Sequence, residues 1–259
     1  MSDARESMMP SPNRSLAVEN ISKSYGGGLP VLKDLTLEVL PGELLGVIGP
    51  NGSGKTTLFG VIAGQLSPNS GTVLVNGIDV TGLSASERAR KGIGRTFQVP
   101  QSFSNMSVFE NLLVGARYAG DLSHEAATLA VHGIMERTGF HGRGHLRAGN
   151  LPLLDRKRLE LARALATNPS LLLLDEIAGG LTDNEAAEIA ELVKEVNRQG
   201  IAVIWIEHLV HILTSAVSRI VVLGEGKIIA DGEPHATMAE PAVRKIYLGM
   251  EPDLDAEHS

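Results

Sequence analysis

The chain has 259 residues, of which 43% are hydrophobic, so one large domain, or one domain with an inserted lobe, can bury a sizeable core. A formal net charge of −7 argues against a nucleic-acid surface, and the absence of cysteine excludes disulfides, thiolate metal sites and cysteine nucleophiles. There is no secretory signal, and no apolar run approaches the length of about 18 residues that is needed to cross a bilayer, so we expect an intracellular protein.

The two ends of the chain are predicted to be flexible tails. Residues 1–14 and 251–259 carry few large apolar side chains, so they cannot offset the entropy lost on ordering. The residues between them, 15–250, are expected to form one domain.

Strand patterns come first along this domain. Within 16–39 the clearest is the alternation of Leu35, Leu37 and Val39 with polar residues before a Pro-Gly turn. The next apolar run, 44–48, is suited to a buried parallel strand.

Residues 49–56 form a complete G-x-x-x-x-G-K-[ST] loop between this strand and an apolar helix. Such a loop turns its backbone N–H groups toward phosphates, Lys55 reaches the β and γ phosphates, and the Thr56 hydroxyl ligates Mg²⁺. A glycine-rich turn without a ligand is the alternative, which the strand before the loop and the helix after it disfavour. The predicted nucleotide contacts are Gly49, Pro50, Asn51, Gly52, Ser53, Gly54, Lys55, Thr56 and Thr57.

The middle of the chain changes from strand patterns to helical ones. Residues 72–75 are extended and close with an Asn-Gly turn, whereas 107–117 and 124–137 show helical patterns separated by glycine-rich breaks. We expect an inserted helical lobe at about 99–160.

Strands and helices alternate in the last third of the chain. The runs 171–174 and 201–206 are suited to buried strands, and a capping box at 182–185 opens a helix between them. Residues 220–230 predict a hairpin. Such alternation around a phosphate loop predicts an α/β fold that binds its ligand at the carboxyl ends of the strands.

Three polar side chains follow the two buried runs. Asp175 and Glu176 directly follow 171–174, where Asp175 could hold Mg²⁺ through water and Glu176 could orient the water attacking the γ phosphate. His208 follows 201–206 and could hydrogen-bond that phosphate. The alternatives are an ordinary acidic pair at a strand end and a structural surface histidine.

In this order the motifs resemble those of the ATP-binding subunit of an ABC transporter, over about 16–248. The resemblance implies a P-loop NTPase fold with a RecA-like core, an N-terminal antiparallel β subdomain and an inserted helical subdomain. It implies ATP and Mg²⁺ as cofactors, with Asp175 as a metal ligand and Glu176 and His208 as catalytic residues.

Two further residues take their predicted roles from this resemblance. Ser24-Tyr25-Gly26 is similar to the family's aromatic loop, which implies that Tyr25 stacks on adenine; the alternative is a core tyrosine. The segment 94–98 resembles the glutamine loop, which implies that Gln98 contacts Mg²⁺ or the attacking water and acts in catalysis. A solvated glutamine is the ordinary alternative.

The family's signature L-S-G-G-Q appears here as Leu-Pro-Leu-Leu-Asp at 151–155, before a helix expected over 156–166. Pro152 offers neither a hydroxyl nor an N–H group, Leu154 adds a side chain where glycine is usual, and Asp155 adds an anion. Arg156 and Lys157 could pair with phosphate or simply form a solvated basic face. These changes affect the half-site that the chain donates to a dimer partner.

The sequences of the glutamine loop (94–98) and of residues 159–165 most resemble those of the ATPases of branched-chain amino-acid importers. This implies a homo- or heterodimer on the cytoplasmic face of the membrane, transmembrane permease subunits, an indirect link to a solute-binding protein, and no nucleic acid. A permease helix would enter a groove at 98–109 if Phe103 and Phe109 are exposed there; both could instead fill the core of the lobe. The rival functions are an unequal half of a heterodimeric ATPase pair and an ABC-type protein acting on DNA or ribosomes.

Overall fold

A computed structural model describes residues 14–120 and 122–248. Most of the two predicted tails therefore lies outside the described residues. The exception is Arg14, which forms an ion pair of 2.5 Å with Glu38.

The described residues contain ten strands, which form one four-stranded and one six-stranded sheet. The strands are β1 (Leu16–Ser24), β2 (Pro30–Val39), β3 (Leu44–Ile48), β4 (Ser70–Val75), β5 (Ile78–Asp79), β6 (Ile93–Arg95), β7 (Leu171–Asp175), β8 (Ala202–Ile206), β9 (Arg219–Gly224) and β10 (Lys227–Gly232).

The helices alternate with the strands of the six-stranded sheet and cluster in the middle of the chain. In the described residues the α-helices are α1 (Lys55–Ile62), α2 (Ala85–Arg90), α3 (Val108–Tyr118), α4 (His124–Arg137), α5 (Leu153–Ala166), α6 (Asp183–Arg198), α7 (Val210–Ala216), α8 (Pro234–Ala239) and α9 (Pro241–Leu248), and a 3₁₀ helix covers Ala148–Asn150.

The six-stranded sheet runs in the order β10-β9-β3-β8-β7-β6 and is parallel except for the β9-β10 hairpin. Strands β3, β7 and β8 are buried on both faces, which explains why their sequences are continuous apolar runs. Because the strands are parallel, the residues that follow β3, β8, β7 and β6 meet at one edge of the sheet.

The smaller sheet, in the order β2-β1-β4-β5, is antiparallel. The hydrophobic faces of its strands pack in one cluster with side chains of α1 and of the central parallel strands. The expected α/β class is confirmed, with both an antiparallel sheet and a parallel core.

Helices α3, α4 and α5 lie between β6 and β7 and pack on one another. Capping boxes or hydroxyl caps begin α3 at Ser107 and α4 at Ser123, close to the predicted starts. The boundary of about 99–160 for a helical subdomain stays a prediction, since α5 continues to Ala166 and also packs on β6 and β7.

The expected start of the helix after 151–155 is wrong by three residues. Helix α5 begins at Leu153, with Pro152 as its N-cap residue in an extended conformation (φ −63°, ψ 167°). Proline is compatible with a helix start because the N–H group that it lacks would have no partner inside the helix there. Leu154 and Asp155 therefore belong to the first helical turn.

Candidate functional site

The glycine-rich loop runs from the end of β3 to the start of α1. Its last glycine, Gly54, is the N-cap of α1 with φ 106°, a conformation that side chains disfavour, and no side chain caps this helix. A Cβ at Gly49 would lie 2.4 Å from the carbonyl oxygen of Leu223. The Ser53 Oγ atom is buried without a hydrogen-bond partner in the described residues. The loop thus presents an unpaired hydroxyl and a helix N-terminus without a side-chain cap, which suits phosphate.

Lys55 and Thr56 form the first turn of α1. The Lys55 ammonium donates hydrogen bonds to the carbonyl oxygens of Gly49 (2.6 Å) and Pro50 (3.1 Å). Burial lowers the pKa of Lys55, and the carboxylates of Glu176 and Asp175 partly oppose that shift. Thr56 is exposed. A buried ammonium that binds only neutral carbonyls is suited to exchange them for phosphate oxygens.

Tyr25 follows β1 and lies beside α1. Its hydroxyl is 3.2 Å from the Thr57 Oγ1 atom, and the Lys23 ammonium is 5.6 Å from the centroid of its ring. The residue is 51% exposed, so it is not a core tyrosine. The exposed residue lies next to the phosphate loop, and adenine stacking stays a prediction.

Glu176 lies directly after β7 and contacts residues that follow the two neighbouring strands, β6 and β8. Its carboxylate accepts a hydrogen bond from the Gln98 amide after β6, and its Oε1 atom is 2.5 Å from the Nε2 atom of His208 after β8. Its own N–H group donates to the carbonyl oxygen of Ile206 at 2.9 Å. Glu176 adopts φ 48°, a left-handed conformation that is costly outside glycine. The fold therefore brings the three predicted catalytic residues together, and their roles stay predictions.

Asp175, the predicted metal ligand, is the last residue of β7 and is buried. Its Oδ2 atom is 2.9 Å from the Arg95 guanidinium, and its N–H group donates to the Thr96 hydroxyl at 3.1 Å. Burial raises the pKa of Asp175, whereas Arg95 acts to lower it.

The residues present fit Mg²⁺. The Thr56 hydroxyl, the Asp175 carboxylate and the Gln98 amide offer the hard oxygen atoms that this ion prefers. The described residues contain no group of three or more His, Asp or Glu side chains that could hold a metal alone. A sparse set of protein ligands is expected where phosphates and waters complete the coordination shell.

Lys157 on α5 is a site residue that the sequence reasoning misjudged. It is 3% exposed, and its ammonium donates to the backbone carbonyl oxygens of Gln98 and Glu176, each at 3.1 Å. Burial lowers its pKa, and Glu207 and Glu176 oppose that shift. Lys157 is therefore not part of a solvated basic face. Its spacing of four residues from buried Leu161 could have indicated an inward position.

Glu207, between β8 and His208, is a second residue whose role the sequence did not reveal. It is 2% exposed and accepts hydrogen bonds from the N–H groups of Ala178 (2.7 Å) and His208 (3.3 Å) and from the Trp205 indole (3.2 Å). Burial raises the pKa of Glu207. By accepting hydrogen bonds from Ala178 and His208, this one carboxyl group holds the segment after Glu176 close to the backbone of His208.

The start of α5 also differs from the expectation for its charged residues. The Asp155 carboxylate is buried and forms ion pairs with Arg143 and, at 3.5 Å, with Arg158, so it is not a free anion at the helix start. Arg156 donates to the carbonyl oxygens of Leu151 (2.7 Å) and Gly149 (3.2 Å). The apolar Leu153 remains 43% exposed in this first turn.

The two aromatic residues considered for a docking groove have different positions. Phe103 is 46% exposed and lines a groove of about 260 Å³, where the Arg163 guanidinium lies 5.1 Å from the centroid of its ring. Phe109 lies on α3, packs against the core and has its ring centroid 5.5 Å from that of His132. Only Phe103 of this pair belongs to the groove.

The phosphate-binding loop at the end of a buried parallel strand, opposite the acids that end β7, defines the class of P-loop NTPases. Residues 32–179 match the model of the ABC transporter family, and the chain belongs to that family. It is an ATPase subunit of an ABC transporter.

Two curated relatives illustrate the similarity. The chain is 36% identical over 254 residues to LivG of Escherichia coli K12, a high-affinity branched-chain amino acid transport ATP-binding protein, covering 90% of this chain and 97% of LivG. It is 33% identical over 238 residues to LptB of the same strain, a lipopolysaccharide export system ATP-binding protein, covering 91% of this chain and 97% of LptB.

Solved structures give the same family. A nucleotide-free ATP-binding cassette from an ABC transporter superposes with a TM-score of 0.83 at 32% identity, covering 92% of this chain and all of that chain (100%). A cassette in its ADP conformation also gives 0.83 at 32% identity, covering 92% and 99% of the two chains. No helix within 14–120 and 122–248 is both long and apolar enough to cross a membrane.

Proposed function

We propose that this chain binds and hydrolyses Mg²⁺-ATP to power an importer for branched-chain amino acids or a related small solute. The observation that supports hydrolysis is the position of the Glu176 carboxylate between Gln98 and His208. These residues lie at the same edge of the parallel sheet as the phosphate loop. The similarity to LivG supports the importer assignment, and the similarity to LptB favours an exporter as its rival.

Binding uses the loop and its neighbours. The loop N–H groups and Lys55 hold the phosphates, Tyr25 stacks on adenine, and Thr56, Asp175 and Gln98 supply oxygen atoms to Mg²⁺. Held by these residues, Mg²⁺ would supply positive charge against the negative charge that develops on the transferred phosphoryl group.

Hydrolysis needs a positioned water. Glu176 accepts a hydrogen bond from Gln98 and contacts the imidazole of His208, so its carboxylate is fixed before substrate arrives, which is the condition for orienting or polarising that water. His208 is exposed beside it and can hydrogen-bond the γ phosphate while still contacting Glu176. The strained backbone of Glu176 is consistent with a residue kept for function.

The proposed motor is a dimer on the cytoplasmic face of the membrane. ATP stabilises the closed dimer more than ADP does, so hydrolysis reopens it, and permease subunits that receive solute from a binding protein respond to the motion. The groove beside Phe103 is our site for a permease helix, because an exposed aromatic ring and an arginine line it next to the glutamine loop.

Two measurements test this function. The purified chain should release phosphate from ATP only with Mg²⁺, and Glu176→Gln should abolish this release. Deleting the chain from its host should stop uptake of radiolabelled leucine while leaving lipopolysaccharide export intact. Loss of lipopolysaccharide export with normal leucine uptake would contradict the importer assignment and support an exporter.

The start of α5 favours a second candidate, an unequal half of a heterodimeric ATPase pair. Here the exposed Leu153 and a proline N-cap stand where the resemblance implies a hydroxyl and glycines. Phosphate release that appears only after mixing with a second ATPase subunit, and that survives Glu176→Gln in this chain, would establish this candidate. Full activity of the chain alone would exclude it.

A further inference from the structure

Arg95, the last residue of β6, connects the predicted metal acid to the phosphate-loop helix. Its Nη2 atom is 2.9 Å from the Oδ2 atom of Asp175, and the two side chains are 10% and 7% exposed. Its Nη1 atom donates to the Gln65 Oε1 atom at 2.5 Å, just beyond the end of α1. A nearly dry ion pair of this kind fixes the orientation of both partners.

Two aromatic rings hold the same guanidinium. The Arg95 Cζ atom is 5.7 Å from the ring centroid of Phe59 on α1 and 5.3 Å from that of Phe97, which precedes Gln98. A planar guanidinium can stack on rings and still present its N–H groups in its own plane, whereas a lysine ammonium cannot do both.

Arg95 also reaches the groove that contains Phe103. Arg95, Gln65 and Phe97 are among the residues that line this groove. The Arg95 Nε atom is buried and has no hydrogen-bond partner in the described part of the chain. The guanidinium therefore donates hydrogen bonds to two side chains, Asp175 and Gln65.

We propose that Arg95 is a positioning residue for the metal site: it holds one oxygen of Asp175 and leaves the other for the ligand shell of Mg²⁺. Oδ2 is the atom paired with Arg95, and Oδ1 accepts no hydrogen bond from the described residues. Because the Arg95 guanidinium lies over the Phe97 ring and lines the groove, this one side chain links Asp175 to the glutamine loop. The inference rests on the proposed Mg²⁺-ATP function.

The test compares ADP binding with and without Mg²⁺, so that no turnover is required. A fluorescent ADP analogue is titrated against the full chain, the Arg95→Met variant and the Arg95→Lys variant, in EDTA and in excess Mg²⁺. Loss of a residue that orients a metal ligand typically costs about 10- to 100-fold in metal affinity. We expect Arg95→Met to reduce the Mg²⁺-dependent gain in ADP affinity by about tenfold, with little change in EDTA.

The matched control is Arg219→Met. Arg219, the first residue of β9, forms ion pairs with Asp231 on β10 (2.5 Å) and with Glu43, which precedes β3 (3.0 Å), at the end of these strands away from the phosphate loop. This variant should lower the melting temperature yet keep the full Mg²⁺-dependent gain. Arg95→Lys keeps the charge without the stacked plane, so its gain should lie between those of Arg95→Met and the wild type.

The outcomes separate this inference from the proposed function. A wild-type chain that binds no ADP contradicts the proposed function. Wild-type binding together with a full Mg²⁺-dependent gain in Arg95→Met contradicts only the role of Arg95. If Arg95→Met does not fold, Arg95→Lys decides: a reduced gain supports the role, and a wild-type gain overturns it.

Discussion

His208 Nε2 lies 2.5 Å from Glu176 Oε1, although the two residues follow different strands of the parallel sheet. The contact arises because β7 and β8 are neighbours in register, with Asp175 opposite Ile206. Side chains one and two residues beyond these ends therefore converge.

Glu176→Gln should retain ATP binding and lose turnover. Glutamine keeps the shape of the side chain and one of its two oxygen acceptors but cannot polarise water as a carboxylate does. Removing such a base typically costs about 10²- to 10⁴-fold in kcat. Phosphate release and fluorescent ATP titration measure the two effects. The exposed Glu188, changed to Gln, is the control and should behave as the wild type.

Lys55→Ala should weaken Mg²⁺-ATP binding by about 100-fold, because it removes charge-assisted hydrogen bonds to the phosphates. The same titration measures it, with the exposed Lys91→Ala as the control. If Lys55→Ala and Glu176→Gln lose binding equally, the separation of a binding role from a catalytic role is wrong.

Lys157→Met should lower kcat about 10- to 100-fold while nucleotide affinity changes little, since a small displacement of a catalytic group has this cost. The change removes the ammonium that holds the carbonyl oxygens of Gln98 and Glu176. Lys157→Arg should restore part of the rate. The neighbouring Arg156→Met is the control, and an equal loss of kcat there would show a general effect of α5.

Arg88→Met should reduce the free energy of unfolding by about 2–4 kcal/mol, since it leaves several buried carbonyl groups unpaired. Arg88 is 1% exposed and donates to the carbonyl oxygens of Val61, Ile62, Thr81 and Leu83. The first two belong to the last turn of α1, where a cation is favoured. Urea unfolding measures the loss. The exposed Arg90→Met should stay within about 0.5 kcal/mol of the wild type.

Glu207→Gln should raise the melting temperature relative to the wild type more at pH 8 than at pH 5. Burial raises the pKa of Glu207 in the folded state, so the stability contributed by the protonated carboxyl is full below its unfolded pKa and is lost as the pH rises through the folded pKa. Glutamine does not titrate and keeps an acceptor for Ala178. Thermal unfolding across this range measures the difference, and a pH-independent difference would refute the explanation.

The sequence predicted the parts of the site that depend on contiguous residues. The loop at 49–56 specifies its own backbone shape, and apolar runs specify buried parallel strands. Since such strands end at one edge, the convergence of Asp175, Glu176 and His208 followed from their positions after these runs.

The helical N-terminus at Leu153 was less predictable, because a proline next to leucines indicates either a loop or a first turn. The ion pairs of Asp155 with Arg143, in the segment after α4, and with Arg158, three residues further along α5, stabilise the helical start.

The sequence by itself determined the phosphate loop, the α/β class and the strand-end acids, because local backbone geometry and hydrophobic pattern encode them. Only the tertiary structure decided that Lys157 faces Gln98 and Glu176, and that Arg95 pairs with Asp175 between two aromatic rings. The hydrogen-bonding partners of these charged side chains lie far along the chain from them, and their burial depends on helices and strands packing around them. The sequence alone does not show which charged side chains are buried or which groups they pair with, because both depend on the packing of the folded chain.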